Sequence, residues 1–201
     1  GCSKRGLYPL FGIEFISLNE EDQKAGLRVN DPGNPGRTYI SGKGLLQPFK
    51  LSEPYASQLT NVRTEANKQV EAMCEKLNGI LTAKNVGFVL DMDWIKDNLS
   101  KGSVRERHLA KALRLKVYEN SGDNPTSIKN LLEEIFDGKE LKSDTENLAG
   151  VENEIRANLL KAGGSAFVPE TVEAFLPMQT VCKIILAAGG IPTYPFLADD
   201  A

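Results

Sequence analysis

The chain has very little histidine, because His108 is the only one among its 201 residues. Histidine is the most common metal ligand in proteins, so a metal cage built from several imidazoles cannot form from this chain alone. The three cysteines, Cys2, Cys74 and Cys182, lie far apart and form no CxxC pair. They provide no disulfide framework, which favours a reducing compartment, and we expect a cytoplasmic protein.

Long hydrophobic runs and blocks of like charge are also missing. No apolar run approaches the roughly 18 residues that a membrane helix needs. The formal net charge is -3, which argues against a dedicated nucleic-acid binder. Hydrophobic residues make up 41% and charged residues 25% of the chain, as in globular proteins. We expect neither a nucleic-acid nor a membrane partner, and the oligomeric state stays open, an oligomer included.

Both ends of the sequence suggest a piece of a longer chain. The start, GCSKRG, has no initiator methionine and leads into a strand-like run instead of the apolar core of a signal peptide. Gly1-Cys2 after a methionine would suggest an acylated terminus, but Arg5 stands at the position where that pattern has serine or threonine. The chain then stops directly after YPFLADDA, so we expect a segment cut from a larger protein.

The segment LYPLFGIEFISL, residues 7–18, is rich in β-branched and aromatic residues and predicts a buried strand. Glu14 stands in its middle, between Ile13 and Phe15. Burying an unpaired carboxylate is costly, so we expect Glu14 at the mouth of a cleft. The alternative is a glutamate on an edge strand that faces solvent. The segment RTYIS predicts a second short strand.

From Ser52 onward the hydrophobic pattern follows a helical period, which predicts a long amphipathic helix that ends near Asn85. The segments SVRE (103–106) and SDTE (143–146) have the capping-box pattern and predict helices that open there. A last helix is expected before Gly189-Gly190, with IPTYPFL as a strand after it. The expected fold class is α/β, with partial β/α barrel elements at 1–51 and 163–201 and a large, mostly helical insertion at 52–162.

The segment DPGNPG, residues 31–36, predicts a double turn on steric grounds alone. The sharper hypothesis is an anion-binding loop. Arg37 leaves the turn, and Lys43 lies between Gly42 and Gly44, where backbone N–H groups can approach a phosphate or carboxylate. The glycine spacing differs from that of a Walker loop.

His108 lies on a predicted basic helix with the sequence ERHLAKALRLK. It is either a half-buried side chain on a solvated face or part of a lid over an anionic substrate. Asp199 and Asp200 follow the last predicted strand, where they ligate a metal, orient a water or cap the next helix. Tyr194 either forms a hydrogen bond with a phosphate or simply packs against neighbouring side chains.

The segments FGIEF (11–15) and LAAGGIPTYPFLADDA (186–201) resemble parts of the PHP (polymerase and histidinol phosphatase) superfamily. Its members are metal-dependent phosphoesterases on a distorted (β/α)7 barrel. The resemblance implies that Glu14 bridges metals and that Tyr194 stands in place of a strand-end histidine. The segments NDPGNPGRTYISGKG and ERHLAKAL look like those of a branch of this superfamily that has a long helical insertion. The family's His-x-His and Asp-x-His elements are absent.

Two functional hypotheses follow. The first is a fragment of a PHP-type phosphoesterase whose parent holds a divalent Mn, Zn, Mg or Fe, bound weakly or not at all by this segment. Its residues would be Glu14 for the metal, Tyr194 and Asp199 for catalysis, and Arg37, Lys43 and His108 for an anionic small-molecule substrate. The second is a non-catalytic helical interaction or assembly module on a degenerate PHP-like scaffold, which the tyrosine at position 194 favours.

Overall fold

The computed structural model describes residues 2–196 and is a mixed α/β protein, in which helices account for about half of the described residues. The chain forms two compact units. Residues 1–62 and 172–201 form what we call the sheet unit, and residues 63–171 form the helical unit. The sequence placed the two boundaries about ten residues earlier, at 51/52 and 162/163.

The sheet unit is built on three short strands. Its elements are β1 (Gly12–Leu18), α1 (Glu20–Lys24), β2 (Arg37–Lys43), α7 (Met178–Ala187) and β3 (Ile191–Thr193). The strand order is β1-β2-β3, and both pairs are antiparallel. Strands of a β/α barrel run parallel, so the described residues form a small open sheet and no barrel.

The core of the sheet unit lies between α7 and one face of the sheet. Its buried members are Ile40, Leu45, Val181, Ile185 and Ala188. Gly42, the second-last residue of β2, allows this close approach, because a Cβ there would lie 3.0 Å from two side-chain carbons of Ile185.

The helical unit has a much larger core. Its helices are α2 (Tyr55–Ala83), which begins in the sheet unit, α3 (Met92–Leu99), α4 (Glu106–Ser121), α5 (Pro125–Ile135) and α6 (Leu148–Ile155). A π-helical turn at Arg156–Leu160 continues α6. Twenty-three of the described residues form one buried apolar cluster here. No helix among residues 2–196 combines the length and the apolar character needed to cross a bilayer.

The helices predicted after SVRE and SDTE form as α4 and α6, but both predicted capping boxes are wrong, because other residues begin these helices. Helix α4 starts at Glu106 with Arg105 as its N-cap, and α6 starts at Leu148, where the Asn147 side chain accepts from the N–H of Gly150. The Glu106 carboxylate pairs with Arg156 instead of reaching back toward a serine.

Candidate functional site

Glu14 lies in a row of polar side chains across the sheet. It pairs with Ser41 on β2, and Ser41 pairs with Thr193 on β3. Directly paired residues project from the same face, so the carboxylate and two hydroxyls line up there. Lys43 is two residues beyond Ser41, on this same face.

The expectation of a buried strand around Glu14 is wrong. The strand starts at Gly12, and both Glu14 and Leu10 are exposed. The physical reason is that the Glu14 face of β1 is uncovered at Gly12 and Glu14, although Leu18 on the same face is buried. The opposite face carries Ile13 and Phe15, which pack against the core of the sheet unit. Glu14 therefore corresponds to the solvent-facing alternative.

Arg37 and Lys43 do not converge on one point. They lie at opposite ends of β2, six residues apart, which corresponds to about 20 Å of extended strand. The guanidinium of Arg37 stacks over the ring of Phe175, with its central carbon 4.5 Å from the ring centroid. Lys43 is exposed at the other end of the strand.

The loop before β2 is held by buried polar side chains. Asn30 donates from Nδ2 to the carbonyls of Tyr39 and Pro195, at 3.1 Å each, and its Oδ1 accepts from the Tyr39 N–H at 2.7 Å. Asp31 is also buried and accepts from the Gly33 N–H and the Asn34 amide. These internal bonds support the structural alternative, in which residues 31–36 form a double turn. The sequence pattern did not single out Asn30.

His108 belongs to the helical unit, where its ring serves the start of α4. Its Nδ1 accepts from the backbone N–H of Arg105 at 3.0 Å. Burial lowers the pKa of His108, and the positive charge of Arg107 adds to this effect. Two other cations of the basic helix are engaged: Arg114 pairs with Glu152 and Lys116 with Glu119.

The remaining predicted residues lie near the C-terminal end of the chain. Tyr194 directly follows β3 and is about half exposed. Asp199 and Asp200 lie outside the described residues.

The described residues do not fit a metal site. Within 2–196, no group of three or more histidine, cysteine, aspartate and glutamate side chains is placed to hold an ion. A catalytic divalent metal usually takes three protein ligands. Around Glu14 the row supplies one carboxylate and two neutral hydroxyls.

A different surface of the sheet unit stands out. We call Leu7, Tyr8, Leu10 and Phe11 the apolar strip, because all four are large, hydrophobic and exposed. The strip lines a hollow of about 580 Å³ together with residues 44–47. It leads directly into β1. The same apolar run predicted a buried strand, since the sequence carries no signal that separates a covered strand from an exposed apolar surface.

Comparisons with protein families, with curated proteins and with solved structures found no match for this chain.

Proposed function

We propose that the sheet unit is an interaction module that binds an extended, apolar segment of a partner protein along β1. The observation that carries this proposal is the apolar strip. Tyr8 is 88%, Leu10 76% and Leu7 60% exposed, although they are consecutive or nearly so. A contiguous apolar surface of this kind is typical of a site that another protein covers.

The backbone of β1 supports an added strand. The N–H of Asn19, just after β1, donates toward β2, to the carbonyl of Gly36. The N–H of Leu18 points the other way and donates to Leu176. Because these directions alternate along a strand, the even-numbered residues of β1 direct their N–H and C=O groups away from β2.

The outward groups of Gly12 and Glu14, and the N–H of Ile16, therefore form an edge next to the apolar strip. Among the described residues, β1 has β2 as its only strand neighbour, apart from an isolated bridge between Ser17 and Leu176. An extended partner segment would bond to this edge through its backbone and cover Leu10 and Phe11 with its side chains.

The test uses displayed libraries of extended peptides of about eight residues with alternating apolar positions. A peptide that binds should slow amide hydrogen exchange at Gly12, Glu14 and Ile16. Exchange at Ile13 and Phe15 should change little, because those N–H groups already face β2. Protection without this two-residue period would contradict strand addition.

Matched variants locate the surface. Leu10→Asp should weaken peptide binding by at least tenfold, since it places a charge in the apolar strip. Leu27→Asp is the control, because Leu27 is an exposed leucine of the same unit outside the strip. If both variants bound the peptide equally well, the apolar strip would not be part of the binding surface.

A second candidate is a PHP-type metal-dependent phosphoesterase located in the cytoplasm, whose PHP-like barrel would have to be built with residues outside 2–196. The observation in its favour is that Glu14 and Lys43 are both exposed and lie on one face of the sheet, with a carboxylate for a metal and a cation for a phosphate. The other metal ligands would come from outside the described residues, with Asp199 as the candidate in this chain. Tyr194 keeps its predicted role in this proposal, whereas Arg37 lies at the other end of β2 from Lys43 and His108 belongs to the helical unit.

Elemental analysis after purification without chelator tests this second candidate, together with hydrolysis of a generic phosphoester in the presence of Mn or Zn. Bound metal and turnover that are both lost in Glu14→Gln would support it. Glu20→Gln is the control, because Glu20 is an exposed glutamate on α1. Metal binding unchanged by Glu14→Gln would exclude Glu14 as a ligand.

A further inference from the structure

We propose that a groove between α3 and α4, within the helical unit, binds a small organic cation against the ring of Trp94. The groove has a volume of about 570 Å³, in the range of small-molecule sites. It is lined by Leu90, Asp91, Trp94, Ile95, Ala112, Leu115, Lys116 and Glu119. This proposal is independent of the interaction surface on the sheet unit.

The floor of the groove is apolar and closed. Leu90, Ile95 and Ala112 are all buried and belong to the large core of the helical unit. Trp94 stands at the rim, about half exposed. An apolar floor below an exposed indole suits a ligand with a hydrophobic body.

The wall that carries Trp94 is fixed by two sets of hydrogen bonds. The Asn78 amide bonds both backbone groups of Leu90, accepting from its N–H at 2.8 Å and donating to its carbonyl at 2.9 Å. Asp91 then caps α3 by accepting from the N–H groups of Asp93 and Trp94 through Oδ1. The groove is thus held in shape without a ligand, which lowers the entropic cost of binding.

The charges on the rim favour a cation. Asp91 and Glu119 are negative, and Lys116 is the only positive lining residue. The Lys116 ammonium lies 2.9 Å from the Glu119 carboxylate, so the two charges largely offset each other. Asp91 leaves a net charge of -1. Tryptophan is also the aromatic side chain that binds cations best on its face. The ligand class is therefore an ammonium group attached to an apolar body.

The experiment exploits the fact that Trp94 is the only tryptophan in the chain. When it is excited at wavelengths that tyrosine does not absorb, its fluorescence reports on this groove and not on Tyr8 of the apolar strip. The probes are benzyltrimethylammonium, benzyl alcohol and benzoate, which share a ring and differ in charge. We expect a saturable change with the cation, and binding at least tenfold weaker for the other two. A linear, unsaturated change up to about 10 mM counts as no binding and would overturn the proposal.

Two aspartate variants separate the charge effect from a structural one. Asp91→Asn removes the charge and keeps an N-cap acceptor, because asparagine caps helices as well as aspartate does. It should weaken binding of the cation by about fivefold. Asp93→Asn is the control, since Asp93 is on the same helix but does not line the groove. Equal affinities of these two variants would overturn the role of Asp91.

Calorimetry with Trp94→Leu completes the test, because it needs no fluorescence. This variant keeps an apolar side chain and removes the aromatic face. Affinity for the cation should fall by about threefold or more, while benzyl alcohol should bind as before. A cation affinity unchanged by the substitution would contradict the proposed contact with the ring.

Discussion

Two hydrogen bonds join His108 and Arg105 across the first turn of α4. The Arg105 N–H donates to Nδ1 of His108 at 3.0 Å, and the His108 N–H donates to the Arg105 carbonyl at 2.8 Å. The first N–H groups of a helix lack partners within it, so this side chain satisfies one of them. Nδ1 accepts only when it carries no proton, and the lowered pKa of His108 keeps it in that form.

This arrangement predicts that acid weakens the protein through His108. A folded-state pKa below the ordinary value of about 6.5 means that the unfolded chain takes up the proton more readily. The stabilising contribution is therefore complete above about pH 6.5 and is lost as the pH falls through the lowered pKa. Urea unfolding at pH 7.5 and pH 5 should show this loss.

His108→Gln is the control for that measurement, because glutamine at this position of a capping box also accepts from the N-cap N–H. Its unfolding free energy should change less between the two pH values than that of the original protein. The same pH dependence in both proteins would assign the acid effect to other groups.

Asn30→Asp should destabilise the sheet unit by about 2–4 kcal/mol, because a carboxylate cannot donate to the carbonyls of Tyr39 and Pro195. Asn19→Asp is the matched control. Asn19 only accepts, from the N–H groups of Glu21 and Asp22, and aspartate does this equally well. Chemical denaturation compares the two variants, and equal stabilities would contradict the structural role of Asn30.

Arg114→Met should lower the unfolding free energy by about 2–4 kcal/mol. Arg114 is only 8% exposed, and its Nε lies 2.8 Å from the Glu152 carboxylate, which would be left without its partner. Lys116→Met removes an exposed pair on the same helix and should cost less than about 1 kcal/mol. Denaturant midpoints measure both, and a similar loss in the two variants would show that burial does not set the cost.

Cys74 should be nearly inert toward alkylation in the native protein. The thiol is buried, and burial raises its pKa to about 11. Only about one thousandth of it is thiolate at pH 8, and thiolate is the reactive form. In a Cys2→Ser background, mass spectrometry after iodoacetamide treatment should find Cys182 modified before Cys74. Equal rates would contradict the burial of Cys74.

The long helices were predictable because their signal is local and repeated. The expected helix from Ser52 to about Asn85 is confirmed as α2, Tyr55–Ala83. The starts of α4 and α6 were not predictable in this way. The pattern of SDTE satisfies the capping-box rule, yet the N–H of Ser143 donates to Glu154, eleven residues away. A partner from another part of the chain competes with the local one.

In the sheet unit, contacts between distant parts of the chain limit prediction from local patterns even more strongly. The two carbonyls that bind the Asn30 amide lie 9 and 165 residues away in sequence, so no local pattern marks that residue as essential. Leu10 illustrates the opposite case, because its apolar surroundings indicate burial while the folded chain leaves it exposed. Whether an apolar segment is buried or exposed depends on what the rest of the protein packs against it. The composition of the segment does not carry that information.

The two cores differ greatly in size, with five buried apolar residues in the sheet unit cluster and twenty-three in the helical one. Regions with few buried contacts open at lower free energy than the rest of a protein. The sheet unit should therefore have the smaller reserve of stability, and proteases should cut it before they cut the helical unit. A partner that binds only the folded sheet unit would raise the folded population of that unit by mass action. Occupancy of β1 would then set how long this part of the protein survives in a cell.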